Sequence, residues 1–146
     1  MKLSTRARYG VRMMLDLARQ HGHGPVYLWQ IAEREDISEK YLSQIVIPLR
    51  EGGLVRSTRG ARGGYALAKP PTEITLREIV EPLEEVNCLV DCVQHPAACP
   101  RVPTCAARDI WSMLGEKISQ ALDSVTLDQL VRINQAKLEN NNTQYI

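Results

Sequence analysis

Outside residues 88 to 105 the chain of 146 residues contains no cysteine, and inside that stretch, CLVDCVQHPAACPRVPTC, it contains four. A framework of bridges distributed through the fold is therefore excluded. No window approaches the run of about eighteen apolar residues that a membrane span needs, and the amino end, MKLSTRARYG, lacks the apolar core of a signal peptide. No glycine motif for nucleotide phosphates opens a helix, and no nucleophile, base and acid converge by spacing. These absences set aside a membrane protein, a secreted disulfide scaffold and a nucleotide-dependent or hydrolytic enzyme, and they predict a cytoplasmic protein. In a reducing compartment, clustered thiols are more often metal ligands or redox groups than structural bridges.

What is present divides in two. Residues 1 to 69 carry twelve Lys or Arg against six acids, whereas the remainder carries six against eleven. A basic half of this kind suits a polyanion. Solvated surface charge is the bland alternative, and it yields only if the basic residues fall within a recognisable architecture.

They do. Ser4 or Thr5 can cap a helix in which Ala7, Val11, Met14 and Ala18 recur at helical spacing, up to a turn at residues 21 to 25. A short helix with Leu28, Ile31 and Ala32 inward follows, then a turn at Glu35, Asp36 and Ile37. Ser38 caps the next helix, whose inward stripe is Leu42, Ile45 and Leu49, and Pro48 is expected to bend or shorten its last turn. Two short helices across a tight turn form a helix-turn-helix. LVRS (54 to 57) and GYAL (64 to 67) read as strands joined by TRGARG (58 to 63), the layout of a β-hairpin wing. The expected contacts to double-stranded operator DNA are Ser38, Glu39, Lys40, Tyr41 and Gln44 on the second helix, with Arg59, Gly60, Arg62 and Gly63 at the wing tip. For Lys40 or Gln44 singly, plain solvent exposure is an equal alternative.

In the second half, Thr75 and Glu78 have capping-box spacing for a helix with Leu76, Ile79, Val80 and Leu83 inward, kinked at Pro82 and running toward Cys88. Pro96, Pro100 and Pro103 keep the cysteines on or beside a loop. Thr104 is expected to start a long helix whose stripe of Ile110, Trp111, Leu114, Ile118, Ala121 and Leu122 is too apolar to stand alone, so a homodimer is expected. Thr126 to Gln129 is a second box-like cap for a last helix, and the NNNTQYI tail reads as disordered. The fold class is mostly α with a small β-hairpin: a winged helix-turn-helix domain (residues 1 to 72), then a cluster-binding loop and dimerisation helices (73 to 137), then a disordered tail (138 to 146).

The thiols are spaced C-x3-C-x6-C-x5-C. Zinc sites usually pair C-x2-C knuckles, which are missing here, so zinc is the second reading; wider spacings on irregular backbone suit an iron-sulfur cluster, which leads. An electron carrier using the same cluster would leave the basic half unexplained.

STRARYGVRMMLDLA, the run ISEKYLSQIVIPLREGGLVRSTRGARGGYALA and the cysteine loop before a Trp-bearing helix resemble regulators of the IscR and NsrR type, IscR most, in the Rrf family of winged-helix transcription factors. The resemblance spans roughly residues 1 to 135. It implies a homodimeric, DNA-binding repressor with a cluster of the 2Fe-2S kind on Cys92, Cys99 and Cys105, and DNA contacts centred on Tyr41, Gln44 and Arg59. By the same resemblance the target genes would serve cluster assembly or cysteine supply, with nitric-oxide or redox sensing as the alternative within the family. One departure stands out. IscR-like members have a histidine three residues after the last cysteine, where this chain has Arg108, and the acid that nitric-oxide-sensing relatives use near the amino end is matched by Arg8. Arginine offers no lone pair. The fourth ligand is expected to be Cys88, ahead of His95 and Asp91.

Overall fold

The computed structural model describes residues 2 to 85 and 88 to 144. Helix α1 (Thr5–Arg19) begins at Ser4, whose hydroxyl accepts from the Ala7 N–H, so of the two expected caps Ser4 is used. Its buried face, Ala7, Met13, Met14, Leu17 and Ala18, is the centre of the core. Helix α2 (Leu28–Glu35) ends at Asp36, which adopts a left-handed backbone (φ 51°) and turns the chain into α3 (Glu39–Glu51). Leu42, Ile45, Val46 and Leu49 of α3 are buried against α1 and α2.

Helix α3 continues through Pro48 to Glu51 and ends at Gly52, without the shortening that Pro48 was expected to bring to its last turn. The missing N–H strands only the Gln44 carbonyl, and Gln44 lies on the exposed face where solvent serves as partner.

Strands β1 (Val55–Thr58) and β2 (Gly64–Leu67) pair antiparallel in the register Val55 with Leu67 and Thr58 with Gly64. The first strand starts one residue late because Leu54 closes α3, donating its N–H to the Leu49 carbonyl at 3.0 Å. A backbone bridge between Val26 and Tyr65 (N–O 2.8 and 2.7 Å) attaches the hairpin to the entry of α2. That closeness requires glycine next door: Gly64 has φ +125°, and a Cβ there would stand 2.6 Å from the Val26 carbonyl oxygen.

Helix α4 (Leu76–Val80) opens with the expected capping box, Thr75 Oγ1 accepting from the Glu78 N–H and Glu78 accepting from the Thr75 N–H. It stops at Val80, two residues short of Pro82, so the expected longer kinked helix is a short helix followed by a turn that still buries Leu83. Pro82 cannot donate to the Glu78 carbonyl, which removes the bond that would carry the helix onward. The expected run into Cys88 crosses residues 86 and 87, outside the described ones.

After α5 (Asp91–Gln94) come two single 3-10 turns, Pro96–Ala98 and Val102–Thr104, each started by a proline-bearing pair, and then α6 (Ala106–Asp123). The start expected at Thr104 falls at Ala106, with Cys105 at the cap. Helix α7 (Leu127–Gln144) has the Thr126–Gln129 cap, and its first residue bonds the Ile74 carbonyl at 2.8 Å.

Two expectations on organisation are revised. Ile74, Ile79, Val80, Leu83 and Leu127 belong to the same core as α1, so the hydrophobic interior crosses the division at residue 72. The tail expected to be disordered is helical to Gln144: once Leu127 is anchored, each added residue gains a backbone bond without a new nucleus, and Thr143 back-bonds the Glu139 carbonyl. No helix among the described residues is long and apolar enough to cross a membrane.

Candidate nucleic-acid interface and cysteine loop

The helix-turn-helix is held by an ion pair with one buried partner. Asp16, fully buried on α1, accepts two bonds from the Arg34 guanidinium of α2 at 2.8 and 2.7 Å. Those bonds and the carboxylate charge raise the Arg34 pKa above its ordinary value despite the cost of burial. A second tie joins Arg12 of α1 to Glu35 (Nε to Oε2 3.1 Å, and Nη2 to the Glu35 carbonyl), with the guanidinium 5.3 Å from the Tyr9 ring centre. Tyr9 in turn meets the Tyr41 ring edge to face at 5.7 Å. Arg12 and Arg34 are thus paired with two of the six acids already counted in residues 1 to 69, and Lys69 pairs with Glu78 at 2.7 Å, so these three of the twelve basic side chains are engaged within the chain itself.

Ser38, Glu39, Lys40 and Gln44 are exposed on the first turns of α3, while the Ser38 hydroxyl accepts from the Tyr41 N–H at 3.1 Å and is occupied as the cap. Tyr41 is half-buried, so its ring packs the helix and leaves an edge for contact. At the wing, Arg59, Gly60 and Arg62 are exposed. Gly63 is buried, which corrects its expected role as a contact: a side chain there would run into the carbonyls of Thr58 and Gly60, so this glycine forms the turn. Sequence reasoning missed Tyr9, Arg12 and Tyr27. The Tyr27 hydroxyl donates to the Ala61 carbonyl at 2.6 Å, a contact across 34 positions that no local pattern marks.

The cysteine loop is built from short turns. All four thiols are free and half-exposed. Cys88 Sγ donates to the Val90 carbonyl at 3.3 Å and lines a cavity of about 550 Å³ with Trp111, Leu114 and Ile118. Cys92 lies on α5, Cys99 follows the first 3-10 turn and Cys105 caps α6. Arg108 donates from Nε to the Cys92 carbonyl at 3.0 Å and from Nη2 to the Val93 carbonyl at 3.5 Å. It therefore ties α6 to the end of α5, a role that needs donors and no lone pair. His95 pairs with Asp91 at 3.0 Å on the exposed side of the loop. Four free thiols suit a thiophilic group in chemistry, but among the described residues no three His, Cys, Asp or Glu side chains come together in a way that would hold a metal ion.

The α6 face beside that cavity is apolar and open. Ile110, Trp111 and Leu114 are 49, 41 and 39 % exposed, whereas the face turned to the fold is made of small residues, Gly115 and Ser119.

Comparison with known proteins matches residues 3 to 133 to a family model described as Rrf2, iron-dependent transcriptional regulator. The protein rrf2 of Nitratidesulfovibrio vulgaris is 41 % identical over 132 residues, covering 90 % of this chain and 88 % of that protein. The regulator CymR of Bacillus subtilis is 39 % identical over 139 residues, 95 % of this chain and 96 % of that one. Its solved structure, described as that of the global cysteine regulator, aligns with a TM-score of 0.74 over 91 % of this chain and 98 % of its own. The structure of T. potens IscR aligns at 38 % identity with a TM-score of 0.75, over 92 % of this chain and 88 % of that one.

Proposed function

Since the chain belongs to the Rrf2 family of transcriptional regulators, and is on that ground a regulator and not an enzyme, we propose that it binds operator DNA as a homodimer and reads iron-sulfur status through the loop at residues 88 to 105. The first turns of α3 present Lys40, Gln44 and the Tyr41 edge to a major groove, and Arg59 and Arg62 reach the flanking minor groove. The outward stripe of α6 meets its counterpart on a second copy, which sets the spacing of the two recognition helices. Cys92, Cys99 and Cys105, with Cys88 as the fourth thiol, would hold a cluster of the 2Fe-2S kind, whose iron–thiolate bonds supply sensitivity to redox state and iron supply. The loop's part is to present four thiols on backbone short enough to rearrange, next to the cap of α6. Arg108 links that loop to the same helix, so a change in the loop bears on the dimer seam without touching DNA. The genes controlled would serve cluster assembly or related supply.

The observation that carries this reading is the set of four half-exposed thiols, none in a disulfide, from Cys88 to Cys105, immediately before α6. A second reading, a metal-free thiol regulator of cysteine supply or redox state, draws on the absence of a converged donor group among the described residues and on the likeness to CymR. Anaerobic purification followed by a visible spectrum and by iron, sulfide and zinc quantification decides between them. A cluster spectrum with iron and sulfide in equal amounts, bleached by Cys92→Ala and weakened by Cys88→Ala, supports cluster sensing. Colourless, iron-free protein whose four thiols all react, and which cannot be reconstituted with iron and sulfide, supports the second reading; stoichiometric zinc points to a zinc-stabilised module.

A further inference from the structure

We propose that Tyr27, at the entry of α2, is a positioning residue for the wing: it holds the Ala61 carbonyl, and with it the two arginines on either side. The inference rests on the reading of the wing as a DNA contact. The hairpin has four paired positions and, among the described residues, no third strand, and two-stranded hairpins are marginal in water. Its root is secured, because Val26 and Tyr65 exchange two backbone bonds and Gly64 allows that approach. Its tip is not secured by the ladder, since Arg59 to Gly63 lie beyond the last pair, Thr58 with Gly64.

Within the tip, the Gly63 N–H donates to the Gly60 carbonyl at 2.9 Å, which fixes the turn's own shape and leaves its direction relative to the helices open. The Tyr27 hydroxyl supplies that direction. Its bond to the Ala61 carbonyl, 2.6 Å long, joins the middle of the tip to the residue that caps α2, the helix locked to α1 by Asp16 and Arg34. Ala61 lies between Gly60 and Arg62, so fixing its peptide orients both arginine stems. Tyr27 carries no charge and its hydroxyl is already used, so the effect on DNA runs through Arg59 and Arg62: a free tip must be ordered when it binds, whereas a pinned tip is ordered beforehand.

Tyr27→Phe removes the bond and keeps the ring. With a duplex enriched by the unmutated protein from a random-sequence pool, this variant is expected to bind about three- to tenfold more weakly, the range of one net hydrogen bond, with its helices intact by circular dichroism. In a background carrying Arg59→Ala and Arg62→Ala, adding Tyr27→Phe should change affinity by less than about twofold, because the groups through which it acts are gone. Full wild-type binding by Tyr27→Phe, or losses that multiply in the triple variant, would overturn the proposal while leaving the wing's role intact. If the double arginine variant itself binds like the unmutated protein, the wing reading falls and the positioning role falls with it.

Discussion

The region from α1 to Leu83 and the region from Cys88 to Leu114 lie side by side in one chain and are made in opposite ways. Between Ala7 and Leu83 stand all the buried apolar side chains described except Leu127, and from Cys88 to Leu114 there is no buried residue at all. The first region is shaped by its own core and by ion pairs that lock helix to helix. The second is shaped by single-turn hydrogen bonds and by the Arg108 clamp, and it turns Ile110, Trp111 and Leu114 outward. A segment with so little buried contact takes its conformation from whatever binds it. The contrast assigns rigidity to the half proposed to read DNA and responsiveness to the half that bears the thiols.

Breaking the rigid half should have the largest effect. Arg34→Ala leaves the Asp16 carboxylate in the core without its counter-charge, a change that costs about 3 to 5 kcal/mol when one partner of a buried pair is removed. Asp16→Ala should cost less, since the arginine left behind is one-third exposed and can hydrate. Urea unfolding of the two variants tests the asymmetry, and a reversed order would mean that Asp16 is not the group whose burial matters.

The responsive half should fail differently. Leu114→Asp places a charge on the outward face of α6 without touching the core, so the monomer keeps its helices while self-association weakens by at least about a hundredfold, roughly 3 kcal/mol. Sedimentation over a range of concentrations measures it. A dimer of undiminished affinity would place the seam on another surface and leave the apolar stripe unexplained.

The same contrast governs what could be read from sequence. Where burial sets structure, periodicity revealed it: the stripes Leu42, Ile45, Leu49 and Ile79, Val80 are buried as their spacing requires, and the Ser38, Thr75 and Thr126 caps stand where local hydrogen bonding demands. Contacts between distant positions left no local trace. Nothing near Asp16 announces Arg34, and nothing near Tyr27 announces Ala61. Composition misled at the Asn-rich end, because helix propagation from an anchored first turn does not require a favourable tail. The four thiols were legible as a group by their spacing, but their mutual placement was not, since a proline-punctuated loop without buried side chains leaves no hydrophobic pattern to fix it.

The smallest expected effect sharpens the comparison from inside the first region, where Lys69 and Glu78 pair across the division expected at residue 72. Glu78, in the capping box of α4, accepts from the Lys69 ammonium at 2.7 Å and from the Thr75 N–H at 2.9 Å. Partial burial pushes its carboxyl up, but the lysine and the backbone bond outweigh burial and hold it below its ordinary value of 4.5. A carboxyl whose pKa is lower in the folded state stabilises the fold fully above the unfolded value, and that contribution is lost as pH falls through the folded value. The unfolding free energy should therefore hold this share at pH 7, begin to lose it below about 4.5, and lose the remainder below the depressed value. Because the side chain is 40 % exposed, solvent screens the pair and the share is small. Glu78→Gln should be slightly less stable at pH 7 and should decline less steeply on acidification, so the two curves converge toward acid. Other carboxylates titrate in the same window, but they contribute equally to both proteins and cancel in the difference. Parallel curves from pH 7 to pH 3 would show that the lysine contact contributes nothing, and that the capping bonds and the buried Ile79 and Val80 hold α4 in place without it.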